Sequence, residues 1–202
     1  MRVSRLAALC LVIGTAANAQ DKHLDKQAER LAKLSPDHFI KRVKVRDDDM
    51  TTAVVITSRG AYISKAAFMA DTVGDVALDA IIDKKTKETV YRVVGSASYQ
   101  GGWRFFETAT YMTPDGAKDA QLINVNREVG GCVAIGCTYG ETMAFVVDEQ
   151  VLRSIAAKPE PWRIRFQAKN GSQLDESMSP AEISAVLARV ESYKSEHQPA
   201  AQ

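Results

Sequence analysis

Two cysteines in the second half of the chain have a type and spacing that suggest specific chemistry. Cys132 and Cys137 lie five positions apart, and glycines flank both of them. In an exported protein such a pair most simply forms a disulfide, and glycine lets the short ring close without a backbone clash. The alternatives are a redox-active pair, free thiols or metal ligands. The spacing is not C-x-x-C and no histidine is near in sequence, so the pattern favours a structural disulfide.

The three histidines, His23, His38 and His197, lie at the flanks of the chain. Catalysis by a serine or cysteine nucleophile needs an imidazole beside it, and only His38, directly before the first predicted strand, is a candidate. The sequence has no nucleophile elbow, phosphate-binding glycine loop or H-E-x-x-H motif. We therefore assign no catalytic residue, no cofactor and no metal site. A hydrolase-type site built from scattered carboxylates or serines is the alternative that the sequence leaves open.

Acidic and aromatic residues elsewhere in the chain are further candidates for ligand contacts. Asp47-Asp48-Asp49 suggests calcium, but consecutive acids in a strand point to opposite faces, which favours a solvated turn. Tyr62, Tyr99 and Trp103 are candidates for exposed aromatic contacts, although aromatic side chains at such places more often belong to a core.

Five basic residues form a candidate patch. If the first predicted strand and the strand over 162–166 are neighbours, their cations would together attract an anionic lipid, a glycan or an acidic protein. The alternative is that they are the ordinary solvent-facing sides of half-buried strands. The five residues are Arg42, Lys44, Arg46, Arg163 and Arg165.

The elements that must position these residues are mostly strands. Between Phe39 and Phe166 the apolar residues recur with a period of two, which predicts about eight strands, the first over 39–46. Asp148 is placed to cap a short helix, and Ser179 and Glu182 have capping-box spacing at the start of the last helix. The pattern predicts a mainly β fold, an antiparallel β-sandwich or a curved sheet with short flanking helices at both ends.

The N-terminus has the three parts of a secretory signal peptide. Arg2 and Arg5 precede a short apolar run, and an A-x-A site ends at Ala19. Cleavage there removes 19 of the 202 residues and leaves 183. The predicted organisation is a signal peptide over 1–19, an N-terminal amphipathic helix and linker over 20–38, a single mainly β domain over 39–196 and a disordered tail over 197–202.

The charge balance of the chain argues against nucleic acid as a binding partner. The chain has 26 Lys and Arg against 25 Asp and Glu, and the predicted signal peptide carries two of the basic residues. A balance this close to neutral is unlike that of nucleic-acid-binding domains. No later stretch is apolar and long enough for a transmembrane helix.

Together these features predict a periplasmic, non-catalytic binding or protein-interaction module. Its predicted partner is a protein or a small anionic or apolar ligand of the cell envelope. A structural protein of a larger assembly is a further alternative.

The C-terminal half resembles the invasion-associated locus B family of exported bacterial proteins. The similarity lies in Gly136-Cys137, in Asp148-Glu149-Gln150-Val151-Leu152, in Trp162-Arg163-Ile164-Arg165-Phe166, in Gly171, and in a closing segment with Ile183 and Leu187. The resemblance implies a small periplasmic β-sandwich with a role in host-cell interaction in some members and no established enzyme chemistry. It assigns no functional residue.

Overall fold

The computed structural model describes residues 24–62, 72–134 and 136–197, which contain four helices and ten strands. The described part of α1 covers 24–32. The other helices are α2 (Pro36–Ile40), α3 (Glu149–Ala156) and α4 (Pro180–Glu196). The strands are β1 (Lys44–Arg46), β2 (Ala53–Thr57), β3 (Thr72–Asp83), β4 (Thr89–Gln100), β5 (Phe106–Thr113), β6 (Gly116–Gln121), β7 (Ile123–Val133), β8 (Gly136–Val147), β9 (Trp162–Ala168) and β10 (Gln173–Met178).

The strands form two antiparallel sheets, as the period-two pattern predicted. One sheet has six strands in the order β1-β2-β3-β4-β8-β7, and the other has four in the order β10-β9-β5-β6. The long β3–β4 and β7–β8 hairpins build most of the six-stranded sheet, and the pairing of β4 with β8 joins the two hairpins. The fold is mainly β and sandwich-like, with short helices before and after the strands.

The core lies between the two sheets and beneath the last helix. Phe145 of β8 stacks on Tyr111 of β5 with ring centroids 5.1 Å apart, and Trp162 and Phe166 of β9 pack against Phe145 from the other sheet. The apolar face of α4 joins the same core and packs over β2 and β3. The four-stranded sheet and α4 therefore share the inner face of the six-stranded sheet, and they meet where β10 runs into α4.

Gly95 of β4 sets how closely the two sheets approach. A Cβ added to Gly95 would lie 2.5 Å from Cζ of the buried Phe166 ring. We expect Gly95→Ala to lower the free energy of unfolding by about 1–3 kcal/mol, because the ring must leave its packed position. Urea unfolding measures this, with Gly131→Ala as the matched control, since a Cβ there meets nothing within 4 Å. Equal stability of the two variants would contradict the close approach.

Three local predictions need correction. Phe39 and Ile40 lie in α2, and the first strand is only Lys44–Arg46, because Pro36 at the first helical turn begins a helix that buries Phe39. β10 was missed, because its inward residues include Glu176 and the pattern therefore does not read as apolar alternation. Asp148 precedes α3 but makes no side-chain capping hydrogen bond.

Candidate functional site

A groove crosses the outer face of the four-stranded sheet. Alternate residues of β9 point into the core, so that Arg163, Arg165 and Gln167 point outwards. Residues of β5 and β10 flank them and complete a groove of about 370 Å³. This volume lies within the range of small-molecule sites. The lining residues are Thr110, Tyr111, Met112, Arg163, Ile164, Arg165, Gln167, Asp175 and Glu176.

One wall of the groove is held by polar contacts between strands. Arg165 donates two hydrogen bonds to the carboxylate of Asp175, its partner on β10, at 2.5 and 2.7 Å. Gln167 donates from Nε2 to Oγ1 of Thr110 at 3.1 Å, and Thr110 donates in turn to Asp119 at 2.6 Å. These bonds fix the side chains before any ligand arrives.

The next row of the groove contains a cation and an exposed apolar side chain. Arg163 is exposed, and within the described ranges no carboxylate forms an ion pair with it. Met112 on β5 is 49% exposed, and its carbonyl oxygen accepts a hydrogen bond from Nε1 of Trp162 at 2.7 Å. An exposed guanidinium beside an unbranched thioether suits a ligand with both an anionic and an apolar part.

The five predicted basic residues do not come together on neighbouring strands. Lys44 and Arg46 lie on β1, at the edge of the six-stranded sheet, and β1 pairs with β2. Arg42 lies in the turn before β1, and it donates to the carbonyl oxygen of His38. Arg163 and Arg165 belong to the other sheet. The condition for a single patch is therefore not met, and only the β9 pair lines the groove.

The predicted disulfide is present. Cys132 and Cys137 are cross-strand partners at the end of the β7–β8 hairpin and are bonded to each other. Gly136, at φ +133°, takes a backbone conformation that other residues rarely adopt, which allows the chain to turn inside the ring. The disulfide closes the hairpin end and lies on a different sheet from the groove.

An acidic corner forms where β3, β10 and α4 meet, and sequence reasoning missed it. Glu176 of β10 and Glu182 of α4 are 4% and 2% exposed, and Asp75 of β3 lies close enough to both to affect their ionisation. Gly74 leaves the space that the Glu176 carboxyl occupies, since a Cβ there would lie 2.1 Å from Oε1 of Glu176. The available signal was the parity of β10, in which Glu176 shares the inward-facing positions with the core residues Leu174 and Met178.

Burial dominates the ionisation of this corner. It raises the pKa of Glu176 to about 7, against the opposing effect of a hydrogen bond from Gln27. Burial also raises the pKa of Glu182 to about 8, although Ser58 donates to Oε1 at 2.6 Å. The pKa of Asp75 rises to about 6 for the same reason, against a backbone hydrogen bond from Val76.

Glu182 does not complete the predicted capping box. Ser179 accepts a hydrogen bond from the Ala181 amide, but the Glu182 carboxyl accepts its hydrogen bond from Ser58.

A second buried carboxylate, also missed, has full hydrogen bonding. Glu141 of β8 is 1% exposed and accepts from the amides of residues 104, 105 and 106 and from Nε of Arg127 at 2.9 Å. Tyr99 also donates to it; burial first, and then this bond, raises the pKa of Tyr99 to about 12, so the phenol remains a donor. Phe105 has φ +59°, a strained conformation that the three converging amides accompany. Glu141 therefore fastens the 104–106 segment to the sheet.

The remaining candidates have structural contacts. His38 lies in α2, with Nε2 3.2 Å from the carbonyl oxygen of Ala61. Asp47 pairs with Lys84 at 2.8 Å, and no group of acids, histidines or cysteines suited to a metal ion occurs in the described parts of the chain. Tyr99 is a core residue, so the prediction that it is an exposed ligand contact is wrong. Trp103 packs edge-on against Tyr139.

Comparison with protein-family models, with curated proteins and with solved structures gave no match. The resemblance to the invasion-associated locus B family therefore stays a prediction. None of the helices in the described ranges has the length and apolar character needed to cross a membrane. The predicted signal peptide and most of the predicted tail lie outside the described residues.

Proposed function

We propose that this protein is a non-catalytic binding module whose ligand lies in the groove on the outer face of the four-stranded sheet. The observation that carries the proposal is the row formed by Arg163 and Met112, which places an exposed cation next to an exposed apolar side chain in a concave site. The ligand class is a small amphiphile with a carboxylate or phosphate group. Its anionic group binds Arg163, and its apolar part lies along Met112.

The contacts of the groove support a binding function better than a hydrolytic one. The acids with raised pKa values are the kind of groups that act in general acid catalysis. Glu176 and Glu182, however, are nearly inaccessible to solvent, and Glu182 already accepts a hydrogen bond from Ser58. Two acids line the groove: Asp175, which pairs with Arg165, and the buried Glu176. The groove also presents two arginines, one amide and a thioether.

We further propose that the protein acts in the periplasm. The disulfide between Cys132 and Cys137 supports an oxidising compartment, where such bonds form and persist. The basic and apolar N-terminal sequence with its A-x-A site supports export to that compartment. Mass spectrometry of the protein purified from a periplasmic fraction tests this directly, because the expected N-terminus is Gln20. A mature chain that begins with Met1 would contradict export by cleavage.

Replacement of Arg163 tests the groove. We expect octanoate and octyl phosphate to shift the amide resonances of β5, β9 and β10 in NMR titrations, and Arg163→Ala to weaken this binding by roughly 10- to 100-fold, the loss of one charge-assisted hydrogen bond. Arg46→Ala, an exposed arginine at the edge of the other sheet, is the matched control.

Two further probes sharpen the result. Octyltrimethylammonium has the same chain with the opposite charge and should not bind, because Arg163 repels it. Met112→Ala should weaken octanoate and leave inorganic phosphate unaffected, since only the apolar contact is removed. Equal affinity of wild type and Arg163→Ala for octanoate, or shifts confined to other surfaces, would overturn the proposal.

A further inference from the structure

A side-chain hydrogen bond joins the buried face of α1 to the acidic corner, and Ser179 before α4 also donates to the carbonyl oxygen of Leu31 at 3.5 Å. Gln27 donates from Nε2 to Oε2 of Glu176 at 2.9 Å, across 149 residues of sequence. Gln27 is 5% exposed and lies between the buried Leu24 and Leu31 on the same face of α1. Among the described residues of α1, Gln27 is the only buried polar side chain, and it contacts Glu176.

Two buried groups at this contact, the Gln27 side-chain oxygen and the Glu176 carboxylate, lack a hydrogen-bond donor or a cation to match them. Oε1 of Gln27 is buried and has no hydrogen bond. Glu176 is buried as well, and within the described ranges no Lys or Arg forms an ion pair with it. A buried acceptor without a donor and a buried carboxylate without a cation are each costly. One proton on Glu176 relieves both, because it removes the charge and supplies an O–H donor beside the Gln27 amide.

The groups that face Glu176 reinforce this preference for a neutral carboxyl. Asp75 of β3 and the adjacent Asp175 both disfavour its negative charge. Asp75 also faces Glu182 at the start of α4, and Asp175 is itself neutralised by Arg165. The remaining groups at the corner are Ser58 after β2, Tyr62, and Arg30 of α1, which lies near Tyr62.

We propose that the Gln27–Glu176 contact is a pH-sensitive latch that holds α1 on the sandwich when Glu176 carries a proton and releases α1 when Glu176 ionises. When α1 is docked, Glu176 is sealed from water; when α1 leaves, the carboxyl is solvated and ionises at its ordinary pKa. Docking therefore becomes weaker as the pH rises from the ordinary glutamate range towards the pKa of the docked state, which is about 7.

Hydrogen exchange tests the latch in the purified protein. After correction for the intrinsic exchange rate, the protection of residues 24–32 should fall about tenfold per pH unit between pH 5 and pH 7 and level off above, as one linked proton requires. In Glu176→Gln the protection should be independent of pH, because glutamine cannot ionise and its amide can donate to Gln27. Glu29→Gln, an exposed glutamate of the same helix, should follow the wild type.

The sheets provide the internal reference. Peptides of β4 and β8 should remain more strongly protected than α1 over the pH range in which α1 opens, although the stability of the whole fold also falls there. Protection of α1 that does not change with pH in the wild type would overturn the proposal, and so would a pH dependence that Glu176→Gln retains. Protection of residues 24–32 that equals the protection of both sheets at every pH would also overturn it, since α1 would then exchange only when the whole protein unfolds. The wild-type profile decides the question even if the variant fails to fold.

Discussion

Replacement of Glu141 by alanine is expected to lower the free energy of unfolding by about 3–5 kcal/mol. The side chain accepts hydrogen bonds from three backbone amides, from Tyr99 and from Arg127, and it is buried. Its removal leaves these donors without an acceptor and leaves Arg127 without its ion-pair partner. Urea unfolding at pH 7 measures the change.

Two variants separate the network from the loss of a side chain at this sheet position. Glu141→Gln retains one acceptor oxygen and nearly the same shape, so it should cost less than Glu141→Ala but remain clearly destabilising. Glu128→Ala removes an exposed glutamate from the neighbouring strand, opposite Gly140, and should change stability by no more than about 0.5 kcal/mol. A similar small effect for Glu141→Ala would mean that the 104–106 segment does not depend on this carboxylate.

The protein should lose stability as the pH rises from 5 to 8, and Glu182→Gln should reduce that loss. Glu182 has an ordinary pKa of 4.5 when unfolded and about 8 when folded, because burial disfavours its charge. Between these values the folded state holds a proton that the unfolded state has released. Each such group therefore lowers the free energy of unfolding by about 1.4 kcal/mol per pH unit. Below pH 4.5 the full stability is present, and above pH 8 this contribution is gone.

Urea unfolding at pH 5, 6.5 and 8.5 measures this dependence. Glutamine at 182 cannot ionise and can still accept from Ser58, so the variant should be more stable than the wild type at pH 8.5 by on the order of 3 kcal/mol. Glu160→Gln, in the exposed loop before β9, should keep the wild-type profile. A wild-type stability that is equal at pH 5 and pH 8.5 would show that Glu182 is ionised in the folded state.

Features that depend on a few neighbouring residues could be predicted from the sequence. The β3–β4 hairpin follows from two alternating segments around a polar loop, and the Thr113–Gly116 turn follows from proline and glycine chemistry. The disulfide follows from two cysteines in a short glycine-rich segment. In each case the interacting residues are close in the chain, so the local pattern contains the information.

Strand β10 and helix α2 could not be predicted from the local sequence pattern. The residues of β10 include Asp175 and Glu176, and a strand with buried acids has no apolar alternation. Ser35-Pro36 follows an amphipathic segment and is typical of a helix end, but the same proline begins α2. Which of these two effects a proline has depends on whether the residues that follow it can bury a side chain, as Phe39 does.

The sequence by itself determined the mainly β class, the antiparallel hairpins, the disulfide and the last helix, because each rests on short-range periodicity, turn chemistry or capping. Only the tertiary structure decided which residues come together at each site. It placed Arg42, Lys44 and Arg46 away from Arg163 and Arg165, because the strands belong to different sheets. It joined Gln27 to Glu176 across 149 residues and Ser58 to Glu182 across 124. The burial of a carboxylate depends on which distant elements pack over it, and sheet order, which sets that packing, is not encoded in any local pattern.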